Sequence, residues 1–228
     1  MAPPLPPRFR VIITELVFVR HGEAQCNLDG LVGGPRTCTG LTDRGYAQVE
    51  QVALRLTAEH RDKPFDALYA GPRIRLRQTG EIISQALRIP VSADDRLDGP
   101  AHGAADGMPW AEVKDAADGG PHAHPDRPWA AGSDTWNGYL ERASRFLQEF
   151  IDQHEGERVL VAAHGETVIV AHTLLLGIPL GSPAGFTVSH GSITRWQHHL
   201  NRLGQRRWML DRHNDTKHLA ALARGAAA

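Results

Sequence analysis

The chain has 228 residues, with 25 Lys and Arg against 26 Asp and Glu, which gives a formal net charge of -1 and a pI of about 6.9. This length can bury one large core or two small ones, and the balanced charge argues against a general binder of nucleic acid or anionic membranes, since both need a basic excess. The longest apolar stretch, Val168 to Leu180, contains His172 and Thr173 and is shorter than the roughly 20 residues that span a bilayer.

The cysteines and the first residues favour the cytoplasm. Cys26 and Cys38 are the only cysteines, which is too few for a disulfide framework, and neither has partners at zinc-finger spacing. The opening MAPPLPPRFR is proline-rich, and the apolar run behind it contains Glu15, unlike a secretory signal. We therefore expect a cytoplasmic protein without a metal ion or cofactor.

The first part of the chain predicts two strand–helix units and a further short strand. Continuous apolar runs indicate strands buried on both faces, and apolar residues at near-helical spacing behind an N-cap residue indicate helices. The predicted elements are strand Leu16 to Val19, helix Asp43 to Leu56 capped by Thr42 or Asp43, strand Ala67 to Tyr69, helix Arg73 to Leu87 and strand Ile89 to Val91.

Residues Asp94 to Gly132 interrupt this alternation. The segment is rich in Gly, Pro, Ala and Asp, and Trp110 and Trp129 are its expected anchors. A loop this long inside a compact domain is usually a lid or a binding insertion. We expect this insertion and the loop from Gly30 to Gly40 to roof a pocket and to determine the substrate.

The alternation resumes after the insertion and predicts an α/β fold. The elements are a helix capped by Ser133 or Asp134 that runs to about Gln153, strand Val159 to Ala163, helix Glu166 to Leu176 ended by Gly177 and Pro179, and short strands at Phe186 to Val188, Thr194 to Gln197 and Arg206 to Leu210. Alternating strands and helices imply a three-layer architecture, in which a largely parallel sheet has helices on both faces. We predict a single domain over residues 11–213, with tails at 1–10 and 222–228.

Two predicted strands end in similar polar residues. Arg20-His21-Gly22-Glu23 follows the first strand, and His164-Gly165-Glu166 follows strand Val159 to Ala163. In open parallel sheets, ligands bind beyond the carboxyl ends of the strands. Two His-Gly pairs are therefore expected at the same edge of the sheet.

A third polar segment follows strand Ala67 to Tyr69. It leads into a helix that carries Arg73, Arg75 and Arg77, and residues two apart on a helix cannot all face the same way. The N-terminus of a helix favours anions, and an arginine there can bind two phosphate oxygens at once. We expect one or two of these arginines to be solvated and another to bind phosphate.

In these segments the sequence resembles the histidine phosphatase superfamily, also called the phosphoglycerate-mutase-like family. The family's first motif is a strand that ends in R-H-G-E, with an Asn seven residues after the Arg. The matching segments are Leu16 to Asn27, Leu41-Thr42-Asp43-Arg44-Gly45 with Gln48, Pro72-x-x-Arg75-x-x-Gln78-Thr79, and Val159 to Gly165. Four motifs in family order make the match specific, and the resemblance implies the phosphoglycerate-mutase-like fold.

The resemblance also implies how these residues would act on a phosphomonoester. His21 would attack phosphorus through its neutral imidazole and form a phosphohistidine that water later cleaves. Arg20, Arg75 and His164 would stabilise the negative charge in place of a metal ion. Asn27 and Gly165 would bind the phosphate as well.

The proton donor departs from the family pattern. Family members usually carry a Glu two residues after a Leu in the segment behind the third strand, and counting from Leu97 places Gly99 there, with Asp98 beside it. The leaving alkoxide needs a proton from a nearby acid. The general acid is therefore Asp98, or it comes from the insertion through Asp106 or Glu112, or it is absent.

The sequence thus predicts a metal-independent phosphatase that hydrolyses a small phosphorylated metabolite. A phosphomutase that uses the same phosphohistidine is an alternative, and a non-catalytic protein that binds a phosphorylated ligand is another. The absence of a basic cluster makes protein and nucleic-acid substrates less suitable. The sequence leaves the physiological substrate and a homo-oligomeric state open.

Overall fold

The computed structural model describes residues 11–225. The strands are β1 Val11–Arg20, β2 Ala67–Ala70, β3 Val91–Ala93, β4 Arg158–Ala163, β5 Ile193–Leu200 and β6 Arg206–Asp215. The helices are α1 Gln25–Leu28, α2 Asp43–Asp62, α3 Ile74–Leu87, α4 Trp110–Ala116, α5 Trp136–Gln153, α6 Gly165–Leu176 and α7 Ala220–Gly225. Within residues 11–225, no helix combines the length and apolarity of a bilayer span.

The six strands form one sheet in the order β3-β2-β4-β1-β5-β6. β3, β2, β4 and β1 run parallel, whereas β5 is antiparallel to β1 and β6 is antiparallel to β5. The predicted largely parallel sheet is thereby confirmed. In the β1–β4 register Arg20 lies opposite Ala163, so the residues that follow each strand emerge side by side at the same edge.

Both faces of the central strands are covered by helices. Phe18 and Val161 belong to a core cluster with residues of α5 and α6, whereas Val17 and Leu160 belong to one with residues of α2 and α3. Neighbouring side chains of a strand point to opposite faces, so a strand buried on both faces needs a continuous apolar run. This is why β1 and β4 could be predicted from the sequence.

The insertion packs together with the loop from Gly30 to Gly40. Val32 from that loop joins Ala105, Val113, Ala117 and Trp129 in a small apolar cluster, with Trp110 packed against it. Asp106 Oδ1 accepts a hydrogen bond from Gly34 N at 2.9 Å, and its Oδ2 accepts one from Arg36 N at 3.0 Å. The two predicted anchors of the insertion therefore lie in or against a separate small core.

The predicted starts of α5 and β3 differ in the structure. α5 is capped by Thr135, whose hydroxyl accepts a hydrogen bond from Gly138 N, rather than by Ser133 or Asp134. β3 begins at Val91 instead of Ile89, because Arg88 adopts a left-handed conformation (φ 60°) and the chain is still turning there.

The predicted strand at Phe186 to Val188 was wrong, because this segment forms no ladder with another strand within residues 11–225. The Val188 carbonyl instead accepts a hydrogen bond from Arg20. The segment therefore holds Arg20 at the edge of the sheet through a backbone carbonyl and is not itself a strand of the sheet.

The end of the chain is more ordered than the predicted boundary implies. β6 continues to Asp215, past the predicted domain limit at 213, and α7 occupies Ala220–Gly225. Part of the predicted tail 222–228 is therefore helical. The predicted tail 1–10 and residues 226–228 lie outside the described residues.

Candidate active site

His21 and His164 meet at the carboxyl edge of the sheet. Each follows directly on its strand, and their ring centroids are 5.5 Å apart with the planes at 81°. Both side chains are almost completely buried, with 3% and 2% of their surface exposed. The two rings are close enough to contact the same phosphate group.

Local contacts set the tautomer of His21. Its Nδ1 lies 2.7 Å from the carbonyl oxygen of Gly22, and because a carbonyl only accepts, Nδ1 carries the proton and donates it. Nε2 is left with its lone pair and accepts a hydrogen bond from Arg75 Nε at 3.3 Å. Burial lowers the pKa of His21 well below its ordinary value, and Arg75, His164 and Arg20 lower it further. His21 is therefore a neutral imidazole whose Nε2 can act as a nucleophile.

Gly22 and Gly45 allow the backbone of the loop after β1, which carries His21, to pack directly against the start of α2. A methyl group on Gly22 would overlap the carbonyl oxygen of Gly45, and one on Gly45 would overlap the carbonyl oxygen of Glu23. The Glu23 N–H also donates to Gln48 Oε1 at 2.8 Å. This backbone contact explains why the first two sequence motifs each contain a glycine.

Arg20, His21, Arg75 and His164 form a group that we call the cage, and Arg75 reaches it from the first turn of α3. Its guanidinium donates to Gly33 O at 2.9 Å, and its second terminal nitrogen lies 3.4 Å from His164 Nδ1. Together with the contact to His21, these distances place Arg75 between the two imidazoles. Arg77 is exposed, as expected for one of the three arginines.

Arg73 has a role that the sequence analysis missed. It is the N-cap residue of α3, so it lies outside the helical repeat and also points inward. Its Nε donates to Asp98 Oδ1 at 2.6 Å, and its terminal nitrogens donate to Gly33 O at 2.6 Å and Pro100 O at 3.1 Å. Arg73 thus ties the start of the insertion and the loop from Gly30 to Gly40 to the edge of the sheet.

Asp98 does not fit the expected role of proton donor. Its Oδ1 lies 3.4 Å from His164 Nε2 as well as bonding Arg73. Burial would raise the pKa of Asp98, but His164 and Arg73 lower it to about 2. Asp98 is therefore a carboxylate at neutral pH, and its position suits orienting His164 rather than giving up a proton.

The two alternative donors in the insertion do not fit either. Asp106 is occupied by the loop contacts described above, and although burial raises its pKa, its bonds to Thr37 and to backbone N–H groups hold the pKa below the usual value. Glu112 is exposed on α4. A Cβ at Gly99, where the family pattern has a Glu, would lie 3.2 Å from the His164 ring. That position faces the cage, but no side chain fills it.

His190 is a third histidine of the cage, and the sequence analysis missed it. Its ring centroid lies 5.5 Å from that of His21, and the Gly191 N–H that follows it is 3.1 Å from the carbonyl oxygens of both Arg20 and His21. Burial, followed by Arg20 and Arg75, lowers the pKa of His190 to about 4. His190-Gly191 is another His-Gly pair, and that repetition is the signal by which it could have been found.

Glu166 is another residue that the sequence analysis did not assign. It lies in the first turn of α6, two residues after His164, and within residues 11–225 its carboxylate makes no ion pair or side-chain hydrogen bond. Burial raises the pKa of Glu166, but His164 and Arg20 outweigh this and lower it. Glu166 is thus a carboxylate beside the cage that is not bonded to a cation.

The remaining predicted residues lie around this edge in different roles. Arg20 bonds the Val188 carbonyl, and a Cβ at Gly165 would lie 3.4 Å from Arg20 Nε. Gly165 also begins α6, whose first N–H groups lack intrahelical acceptors and favour anions. Asn27 is exposed on α1, and its Oδ1 accepts a hydrogen bond from Ala24 N at 3.1 Å, so its observed contact is a helix cap.

Comparison with known proteins identifies relatives over most of the chain. A family model described as histidine phosphatase superfamily (branch 1) matches residues 16–216. The metal-independent phosphoserine phosphatase of Arabidopsis thaliana is 26% identical over 219 residues, which cover 92% of this chain and 85% of that protein. Phosphoserine phosphatase 1 of Hydrogenobacter thermophilus is 26% identical over 188 residues, which cover 79% and 84%.

Solved structures show the same fold. Bacillus stearothermophilus YhfR superposes with a TM-score of 0.75 at 23% identity, covering 90% of this chain and 99% of that one. Mycobacterial glucosyl-3-phosphoglycerate phosphatase superposes with a TM-score of 0.74 at 21% identity, covering 88% and 98%. These likenesses confirm the predicted three-layer architecture.

Proposed function

The chain belongs to the histidine phosphatase superfamily, and on this premise we propose that it is a metal-independent phosphomonoesterase that acts through a phosphohistidine on His21. The substrate is a small phosphorylated molecule, and the product is inorganic phosphate. The relatives named above as phosphoserine phosphatases support hydrolysis of a small phosphomonoester.

One observation carries this proposal. Arg20 Nε and His190 Nε2 are buried around His21 and make no hydrogen bond within the described residues. Buried polar groups normally have partners, so two such nitrogens at one place indicate a missing acceptor. A phosphate group supplies several acceptor oxygens and the negative charge that Arg20 and Arg75 favour.

The first chemical step is attack by His21. The lone pair of Nε2 forms a bond to phosphorus while the bond from phosphorus to the leaving oxygen breaks. Arg75 and Arg20 stabilise the charge on the phosphoryl oxygens, and they are already in place before the substrate arrives. These fixed cations perform the stabilisation that a metal ion provides in other phosphatases.

We assign the proton for the leaving alkoxide to Glu166 rather than to Asp98, because Asp98 is bonded to Arg73 whereas the Glu166 carboxylate makes no ion pair within residues 11–225. A bound phosphate dianion raises the pKa of a carboxyl group beside it, because the two negative charges repel each other. The resulting carboxylate then accepts a proton from the water that attacks the phosphohistidine. Cleavage of the phosphorus–nitrogen bond releases phosphate and restores neutral His21.

The proposal is tested by trapping the phosphoenzyme. Wild-type protein is mixed with p-nitrophenyl phosphate that carries radioactive phosphorus and is quenched rapidly without acid, and it should retain the radioactive phosphoryl group. His21→Ala should retain no radioactivity, and its kcat should be lower by at least about 1,000-fold. His198→Ala is the matched control, because His198 stacks on Trp208 away from the cage.

Metal independence has its own test. Activity should persist in EDTA, whereas loss of activity on chelation that Mg²⁺ restores would contradict metal independence. Phosphate binding without turnover would favour a non-catalytic protein.

We also propose the cytoplasm as the compartment. Cys26 and Cys38 are both free and buried, as is usual in a reducing compartment. The small phosphorylated substrate is the expected partner there.

A further inference from the structure

A cavity of about 360 Å³ lies between α5, α6, the part of the insertion near residue 122 and the loop 178–186. Trp136 and Leu140 of α5 form one wall, Ile169 and Thr173 of α6 form another, and Phe186 comes from the loop. This volume lies in the range of small-molecule sites, which are commonly about 300–1,000 Å³. The mechanism above does not use the cavity.

The walls of the cavity lead to the cage. Glu166, Ile169 and Thr173 are spaced i, i+3 and i+7, so they share one face of α6. At about 1.5 Å per residue, the two cavity residues lie about 5 and 10 Å along the helix from Glu166. On the opposite wall Phe186 lies two residues before Val188, whose carbonyl holds Arg20.

His122 of the insertion also lines the cavity. Its ring contacts the Trp136 ring edge-on, with centroids 4.4 Å apart. Burial lowers the pKa of His122, and the Glu166 carboxylate acts in the opposite direction. The same carboxylate acts in that direction on His164, which lies two residues before it in the chain.

The chemistry of the cavity selects among possible leaving groups. No Lys, Arg, Asp or Glu lies among the lining residues that the structure describes, and the walls are mainly aliphatic, aromatic and proline side chains. A carboxylate or ammonium group placed there would lose hydration without gaining an oppositely charged side chain. An alkyl or aryl group would instead be removed from water against apolar walls.

A second cleft beside the cage has the opposite character. Arg44, Glu23 and His190 line it together with Arg20, and Arg44 is largely exposed. This polar cleft suits a charged leaving group such as that of phosphoserine. The two clefts therefore predict different substrates.

We propose that the apolar cavity binds the leaving group, and that the substrate is a phosphomonoester of an uncharged alkyl or aryl alcohol. This inference rests on the proposed phosphatase function. It separates this chain from the relatives that are named for phosphoserine.

The first test is a series of substrates that share one leaving-group chemistry. Methyl, butyl and hexyl phosphate and phosphoserine all release an alkoxide, so differences in kcat/KM report binding of the alkyl part. Burial of each methylene group increases binding about fourfold. We expect kcat/KM to rise at least about tenfold from methyl to hexyl phosphate, and to be lower for phosphoserine than for hexyl phosphate.

The second test fills the cavity. Gly185 lines it, and a Cβ there would meet nothing within 4 Å, so Gly185→Trp adds bulk without a clash at the backbone. The ratio of kcat/KM for hexyl over methyl phosphate should fall at least about tenfold in Gly185→Trp. Leu176→Trp is the control, because Leu176 is half-exposed on α6 and lies outside the cavity wall. If Gly185→Trp fails to fold, the kcat/KM values of the wild-type protein for the series of substrates still test the proposal.

The remaining outcomes separate the two proposals. Equal kcat/KM for all alkyl phosphates would overturn the cavity assignment and leave the phosphatase intact. Preference for phosphoserine that is lost in Arg44→Ala would also overturn it, by placing the leaving group in the polar cleft. Failure to hydrolyse even p-nitrophenyl phosphate would overturn both proposals.

Discussion

Two carboxyl groups next to His164 differ because of their neighbours. Asp98 bonds Arg73 at 2.6 Å and lies 3.4 Å from His164, and these two side chains hold its pKa at about 2 against the effect of burial. Glu166 is bonded to no cation within residues 11–225. Their surroundings therefore give the two carboxyl groups different roles: Asp98 orients His164, and Glu166 donates the proton. A carboxyl group that donates a proton must first be able to hold one.

The two roles are separable by mutation. Glu166→Gln should lower kcat for an alkyl phosphate about 100-fold or more, and should lower it less than about tenfold for p-nitrophenyl phosphate, whose leaving group barely needs a proton. Asp98→Asn should slow both substrates to a similar extent, because it disturbs the orientation of His164. Steady-state kinetics on both substrates measure this. A selective loss on the alkyl phosphate in Asp98→Asn would return the donor role to Asp98.

At the scale of elements, the nucleophile depends on contact between the β1–α1 loop and the N-terminus of α2. Gly22 and Gly45 allow the two backbones to touch. Thr42 begins α2 by accepting a hydrogen bond from Gly45 N at 3.0 Å and donates to Glu23 Oε1 at 3.0 Å. The position of His21 is therefore set by a helix end that contributes no group to the chemistry.

This dependence predicts the effect of one methyl group. Gly45→Ala should destabilise the protein by about 1–3 kcal/mol, because the methyl overlaps the backbone of Glu23, and it should also lower kcat by shifting His21. Leu54→Ala is the control on the same helix, since Leu54 is 66% exposed. Urea unfolding and p-nitrophenyl phosphate turnover measure the two effects. Wild-type values for Gly45→Ala would show that the contact is unimportant.

For the whole molecule, several buried histidines share a lowered pKa. Burial, followed by neighbouring charges, lowers the pKa of His102, His164 and His172 from 6.5 to about 4. His172 lies outside the cage. Its Nε2 is 2.9 Å from His213 Nδ1, and its ring contacts the Phe186 ring edge-on. The native state thus holds several imidazoles neutral at a pH where the unfolded chain binds protons.

Stability should consequently fall in mild acid. Between pH 6.5 and 4 the unfolded state binds more protons than the native state, so the free energy of unfolding rises with pH and levels off above 6.5. Each of these histidines contributes at most about 3 kcal/mol over that interval. Urea unfolding at a series of pH values measures it, and His172→Phe should flatten the curve without touching the cage. A free energy of unfolding that stays constant from pH 7 to 4.5 would contradict this account.

The sequence by itself determined the layers of the fold and the edge that carries the site. Two continuous apolar runs had to be strands covered on both sides, and parallel connections had to place their carboxyl ends together. His21 and His164 therefore meet as a consequence of local patterns. An arginine could be expected beside them from the helix that follows a neighbouring parallel strand, and the family resemblance pointed to Arg75.

Only the tertiary structure decided what the polar groups do to one another. The pairing of Arg73 with Asp98, the approach of His190 to His21 and the apolar cavity beyond Glu166 each join residues that are distant in the chain. A pKa depends on burial and on charges a few ångströms away, and neither is encoded in a local pattern. That is why the fold could be predicted from the sequence, whereas the identity of the proton donor could not be derived from it.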